Sequence, residues 1–246
     1  MRVGINCGHT VIGPGSGAVG IINESKETRN VGRKVMQILR EKGIDVVDCT
    51  IDKASSQKDC LRKITEQANR TDLDYFISIH FNAGKGRGVE CYTYKGRQFT
   101  DALEMCDFIS QKGFTNRGVK NGTGLYVVGH TSAKAILVEC CFVDSDDAHR
   151  YLEVGSYTIA DAIAKSLYNN IKKVEEGKFN MKKIVTYKGD IDALAALIVA
   201  QKHNCPLIKE EDLEEAGIVA SEIIRVGGNE SDKNRFETFK NAAKLL

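Results

Sequence analysis

The chain has 246 residues, 42% of them hydrophobic and 28% charged, the balance of a soluble globular protein with room for one large domain or two smaller ones. A net charge of +2, with no dense basic stripe and no interleaved aromatics, argues against nucleic acid or an anionic membrane surface as partner. No stretch approaches the roughly 20 apolar residues of a membrane span.

The opening "MRVGINCGHT" reads as a strand over residues 2–9 and lacks the charged, apolar and cleavage segments of a signal peptide, so none is expected. A glycine-rich loop, "GHTVIGPGSGAVG", follows it. From Glu24 to Lys42 the apolar positions Val31, Val35, Ile38 and Leu39 recur on one helical face, with Gly43 as the stop. "IDVVDCT" (44–50) is a second strand, and a helix from Ser56 to Ala68 carries Leu61 and Ile64. "YFISIH" (75–80) is a buried strand, "GVECYTYK" (88–95) another, and a helix covers Thr100 to Lys112. "LYVVGH" and "AILVECCF" (135–142) read as further strands before a helix from Tyr157 to Val174. Strands alternating with helices predict an α/β sheet with helices on its faces. The eight cysteines form no CxxC pair; Cys7, Cys91, Cys140 and Cys141 sit in apolar runs and read as small buried hydrophobes of a reducing compartment.

The pattern breaks in a Lys/Glu-rich stretch, which divides the chain into a domain 1–174, a linker 175–181 and a smaller α/β domain 182–246. The second unit runs strand "KKIVTY", helix "DALAALIVAQKH", strand "PLIK", strand "SEIIRVGG" and helix "NRFETFKNAAKLL".

Four polar residues stand where burial makes them costly. His9 directly follows the first strand, Glu24 opens the helix after the glycine loop, and His80 ends the apolar run 75–80. Open α/β sheets gather their sites at the carboxyl ends of strands. Two histidines and one carboxylate with a fourth position left for water make a typical catalytic zinc set. Glu139 lies inside "AILVECCF", where a carboxylate must be paired, protonated or metal-linked. Beside a metal-activated water it would serve as general base and then return the proton to a leaving nitrogen. The plainer readings are a core histidine at His80, a helix-terminal acid at Glu24, a turn-shaping His9, and a structural ion pair of Glu139 with Lys134 or Arg117. His130 reads as a surface residue.

The order "NCGHT", "GIINES", "ISIHFNA", "ILVECCFVDS" resembles the zinc-dependent N-acetylmuramoyl-L-alanine amidases of the family-3 type, over about residues 1–172. The resemblance implies His9, Glu24 and His80 as zinc ligands and Glu139 as catalyst. It also implies a helix-flanked mixed sheet of phosphorylase/hydrolase-like kind, and cleavage of the amide between N-acetylmuramic acid and L-alanine of the peptidoglycan stem peptide. The first loop departs from the family, reading "GHTVIGPGSG" where Gly-Gly-Asp often follows the histidine. The second half resembles one cell-wall-binding type 2 repeat, with Phe236 in place of a tyrosine. By that resemblance Arg225, Asn234 and Arg235 are contacts for an anionic wall polymer, since guanidinium groups suit phosphate and carboxylate.

Together these imply an endolysin of phage type, or a bacterial autolysin, made in the cytoplasm and acting on the wall after release. "EEG" (175–177) can be encoded by a purine run like a ribosome-binding site, three codons ahead of Met181. An internal start at Met181 would release a free C-terminal fragment able to associate with the full chain. Two other readings compete: a catalytically inactive wall-binding or scaffold protein, and a zinc peptidase acting within the stem peptide.

Overall fold

The computed structural model describes residues 1–176, 180–190, 192–213, 219–227 and 235–246; for 170–176, 180–182, 219, 221 and 235–236 it describes the backbone alone. The chain forms two compact units, Met1–Ile171 and Lys172–Leu246.

In the first unit β1 (Arg2–Cys7), β2 (Asp45–Asp48), β3 (Tyr75–Asn82), β4 (Val89–Thr93), β5 (Asn116–Asn121) and β6 (Lys134–Phe142) build one sheet in the order 2-1-3-6-4-5. β2, β1, β3 and β6 run parallel; β4 is antiparallel to β6, and β5 runs parallel to β4. The sheet is therefore mixed. The apolar runs of β1, β3 and β6 follow from burial on both faces. Successive residues divide between two cores, as the pleat requires. Ile77 and Ile79 pack with Val31, Val35 and Leu39 of α1 (Glu24–Glu41), while Phe76 and Leu137 pack with Cys60 and Ile64 of α2 (Gln57–Arg70). Each such fully buried side chain contributes about 2 kcal/mol. The Asn23 side chain caps α1 by accepting from Lys26 N, and Ser56 caps α2 by accepting from Asp59 N.

Three sequence expectations change. "LYVVGH" is not a strand: Tyr126–His130 forms a short helix, α4, whose Val127 and Val128 are buried. A short apolar run does not by itself distinguish strand from helix. β5, "NRGVKN", has no apolar alternation and was not expected; it is held by pairing with β4. Helical structure begins at Asp146, well before Tyr157, in α5 (Asp146–Glu176), interrupted at Gly155 with φ 78°. α3 (Thr100–Ser110) stands as expected. Of the expected linker, Glu175 and Glu176 are still helical and Asn180 and Met181 already lie in a strand; 177–179 fall outside the described residues. Lys and Glu are good helix formers, which explains the longer α5.

The second unit is a parallel sheet of β8 (Leu207–Lys209), β7 (Asn180–Tyr187) and β9 (Val219–Val226), in that order, with α6 (Ala193–His203) and α7 (Arg235–Ala242). Val185, Ala195, Ala196, Val199 and Val226 form its small core. All eight cysteines are free, seven of them buried. Among the described residues no helix is long and apolar enough to cross a membrane.

Candidate metal centre

The site is built where β1 and β3 deliver their last residues. Gly8 N donates to Ile79 O at 2.8 Å, which ties the turn after β1 to the strand bearing His80. A Cβ at Gly8 would overlap the His80 imidazole, so this approach requires glycine. His9 follows with φ 65°. Glu24, the first residue of α1, is 3% exposed. Its Oε1 lies 3.0 Å from His9 Nε2 and 3.2 Å from His80 Nδ1, and accepts from Phe81 N at 3.0 Å. Its Oε2 accepts from Ala18 N at 2.9 Å. The ligand-type atoms of His9, Glu24 and His80 all lie within 4.8 Å of one another. His9 Nδ1 stands 3.0 Å from Gly15 O and donates to that carbonyl, which leaves Nε2 as the ring atom facing Glu24. Two imidazoles and a carboxylate converging in this way fit a zinc-type ion.

Burial alone would raise the Glu24 carboxyl, but hydrogen bonds from His80 and His9 hold it well below the usual range. Burial pushes His80 down, toward the neutral imidazole that a metal needs. Burial also opposes the charge on His9, where contact with Glu24 outweighs it and raises the pKa.

Glu139 stands across from His80 in the parallel β3–β6 register and across from Glu90 in the antiparallel β4–β6 register. Its Oε2 is buried without a hydrogen-bond partner among the described residues. Burial, then the charges of Glu24 and Glu90, push its pKa up to about 8. The alternative ion pairs do not form. Lys134 is bound to Asp101 at 2.7 Å, and Arg117 to Glu90 at 2.6 Å. His130 is exposed and stacks on Tyr126.

A cavity of about 300 Å³ reaches two of the four candidates, His9 and His80, and is lined also by Asn6, Gln57, Tyr126 and Leu137. A larger one of about 430 Å³, at the amino end of β6 between Tyr94, Phe99 and Lys134, touches none of the four. The chemistry therefore lies with the smaller.

Two groups escaped sequence reading. Glu90 is 1% exposed and gathers Asn82 Nδ2 at 2.8 Å, the Tyr92 hydroxyl at 3.0 Å, Arg117 and Lys120. Arg29 is buried behind His9. Its signal was its phase: it shares a helical face with Gly32 and Met36, both buried. In the second unit Arg225 is exposed and its Nε donates to Glu210 at 2.8 Å. Asn234 and the Arg235 side chain lie outside the described residues; Met181 pairs with Ala220 in the β7–β9 ladder.

A helix-flanked mixed sheet with a His-Glu-His set at the carboxyl ends of parallel strands defines an α/β protein with a candidate metal centre. Residues 3–169 match the amidase type 3 family, described as N-acetylmuramoyl-L-alanine amidase, and the chain belongs to that family. It is 33% identical over 182 residues to an uncharacterized 38.4 kDa protein of Clostridium perfringens, covering 70% of this chain and 52% of that protein. It is 30% identical over 142 residues to the N-acetylmuramoyl-L-alanine amidase CwlM of Bacillus licheniformis, covering 56% of this chain and 53% of that one. The chain thus spans about half the length of these relatives. In fold it is similar to the catalytic domain of CD27L endolysin targeting Clostridia Difficile, with TM-score 0.64 at 24% identity, over 69% of this chain and 97% of that one.

Proposed function

We propose that the chain is a zinc-dependent N-acetylmuramoyl-L-alanine amidase of endolysin type, hydrolysing the amide between N-acetylmuramic acid and L-alanine in peptidoglycan. One observation carries this reading: His9 and His80 converge on a single oxygen of Glu24, and Glu139, whose buried Oε2 has no partner among the described residues, stands one strand from His80. His9, Glu24 and His80 would hold the ion. When bound, zinc supplies a Lewis acid for the scissile carbonyl and lowers the pKa of water. Glu139 takes the proton of the attacking water and passes it to the departing L-alanine nitrogen. A carboxyl whose pKa is about 8 in the metal-free chain is readily protonated for the second half of that transfer. The cavity walls of α2 and residues 124–127 offer a surface for the substrate beside His9 and His80.

The second unit serves in this proposal as a wall-binding module for an anionic polymer, with Arg225, Asn234 and Arg235 as contacts. An internal start at Met181 supplies free copies that associate with the full chain.

The test is a digest of purified peptidoglycan read by mass spectrometry, with and without a chelator. Stem peptides with a new L-alanine N-terminus, lost on chelation and restored by zinc, are the expected products. His80→Ala should lose zinc and activity together, whereas Glu139→Ala should keep zinc and lose turnover by about 10³-fold or more. Intact lactyl–alanine amides, or full zinc occupancy in a folded His80→Ala variant, would overturn the assignment.

A further inference from the structure

Arg29 lies on α1 one and a half turns beyond Glu24, 6% exposed. A buried guanidinium is tolerated only when its donors are met. Here they converge on the backbone of the first turn. Nη1 donates to Gly8 O at 2.8 Å and to Ser25 O at 3.0 Å. Nη2 donates to His9 O at 2.7 Å. Nε and Nη2 hold Asp52 Oδ1 at 3.0 and 2.9 Å. The Thr28 hydroxyl adds a second donor to Gly8 O at 3.1 Å.

Two successive carbonyls, Gly8 and His9, are thus gripped by one planar group. The residue between them has φ 65°, a conformation that side chains rarely hold without support from their surroundings. The direction of the His9 imidazole follows from that backbone. A cation placed behind a site for another cation gains nothing by its charge alone; the geometry of its donors is what the turn uses. Lysine, a point charge on a flexible stem, has no fork to span both carbonyls and Asp52 together.

We propose that Arg29 is a positioning residue of the metal centre. Its guanidinium clamps the carbonyls of Gly8 and His9, fixing His9 in the left-handed conformation that turns its imidazole toward Glu24 and His80. The inference rests on the metal-centre reading above. Asp52, whose side chain is 55% exposed, anchors the outer side of the fork.

Zinc affinity of the full chain, measured by chelator competition, tests this in Arg29→Lys and Asp52→Asn, with melting of the metal-free proteins measured alongside. Arg29→Lys should bind zinc 10- to 100-fold more weakly, the range seen when partners behind a ligand are lost. A crystal structure of that variant should show His9 leaving positive φ. Asp52→Asn should weaken zinc binding several-fold, and it carries the test should Arg29→Lys not fold. A purely structural role would lower the melting temperature and leave the zinc affinity of the folded variants unchanged, which overturns the clamp. If wild type binds zinc, His80→Ala does not, and both variants match wild type, the clamp alone fails. If wild type binds no zinc, the metal reading fails and the clamp with it.

Discussion

Glu24 and Glu139 are carboxyls of one site driven in opposite directions. Both suffer from burial, but Glu24 is met by two histidines and two backbone amides, while Glu139 Oε2 is met by nothing among the described residues. Divergent environments of this kind are what the proposed roles, ligand for Glu24 and proton carrier for Glu139, require. A pH dependence follows in the metal-free chain. Glu139 ionises near 4.5 when unfolded and at about 8 when folded. Below the first value both states are protonated and folding carries no penalty. Between the two only the unfolded state gives up its proton, so stability falls as pH rises, and the loss is complete above the second. Glu139→Gln should remove this slope, so melting of the metal-free variant should diverge upward from wild type toward pH 8. Parallel melting curves across that range would contradict a buried, ionisable Glu139. The four candidate residues stood out in the sequence because each is a costly residue at a strand end, a helix start or within an apolar run. Glu90 did not, because its partner Arg117 lies 27 residues away and gives no local signal; Arg29 left only its phase on α1, its partner Asp52 lying 23 residues away.

Among the elements, the parallel strands β1, β3 and β6 were readable since burial on both faces writes a continuous apolar run. The edge was not. β5 exposes Asn116 and Arg117 and carries Gly118 at φ 73°, so its strand character comes from its pairing with β4. α4 failed for another reason: its two buried valines pack like a strand's while its backbone turns. The start of β6 offers a quantitative test. Asp101 of α3 is 1% exposed; Lys134 donates to its two oxygens at 2.7 and 2.9 Å, and the Tyr75 hydroxyl is hydrogen-bonded to it as well. Lys134→Ala leaves that buried carboxylate without its cation and with only the Tyr75 hydroxyl of these two partners, at a cost of about 3 kcal/mol in urea unfolding. A change under about 1 kcal/mol would mean that Asp101 finds water or another partner.

Over the whole molecule, the sequence reading placed a joint in the Lys/Glu-rich stretch, and among the described residues of the second unit strands and helices alternate, with bounds that differ from those expected. The exact joint was not legible, because a polar stretch suits a linker and the tail of a helix equally well. If the second unit is a wall-binding module, residues 1–174 alone should still cleave a soluble muropeptide. On intact walls the truncated chain should lose about tenfold or more in retention and lysis, as expected when linked binding is removed. Equal lysis by both forms would remove the module from the proposal. Expression of the full gene should also yield a species of about a quarter of the full mass, lost in Met181→Leu; a single full-length band would rule out the internal start.

The bonds that join both histidines to one oxygen of Glu24 also bear on timing. If these three residues hold zinc as proposed, they already hold one another and need little rearrangement when an ion enters, so loading carries little of the ordering penalty that a floppy site would impose. A chain made where zinc is scarce would keep its shape, stay dormant, and become active on later exposure to the ion. Its activity would then follow supply of the metal, with no second round of folding in between.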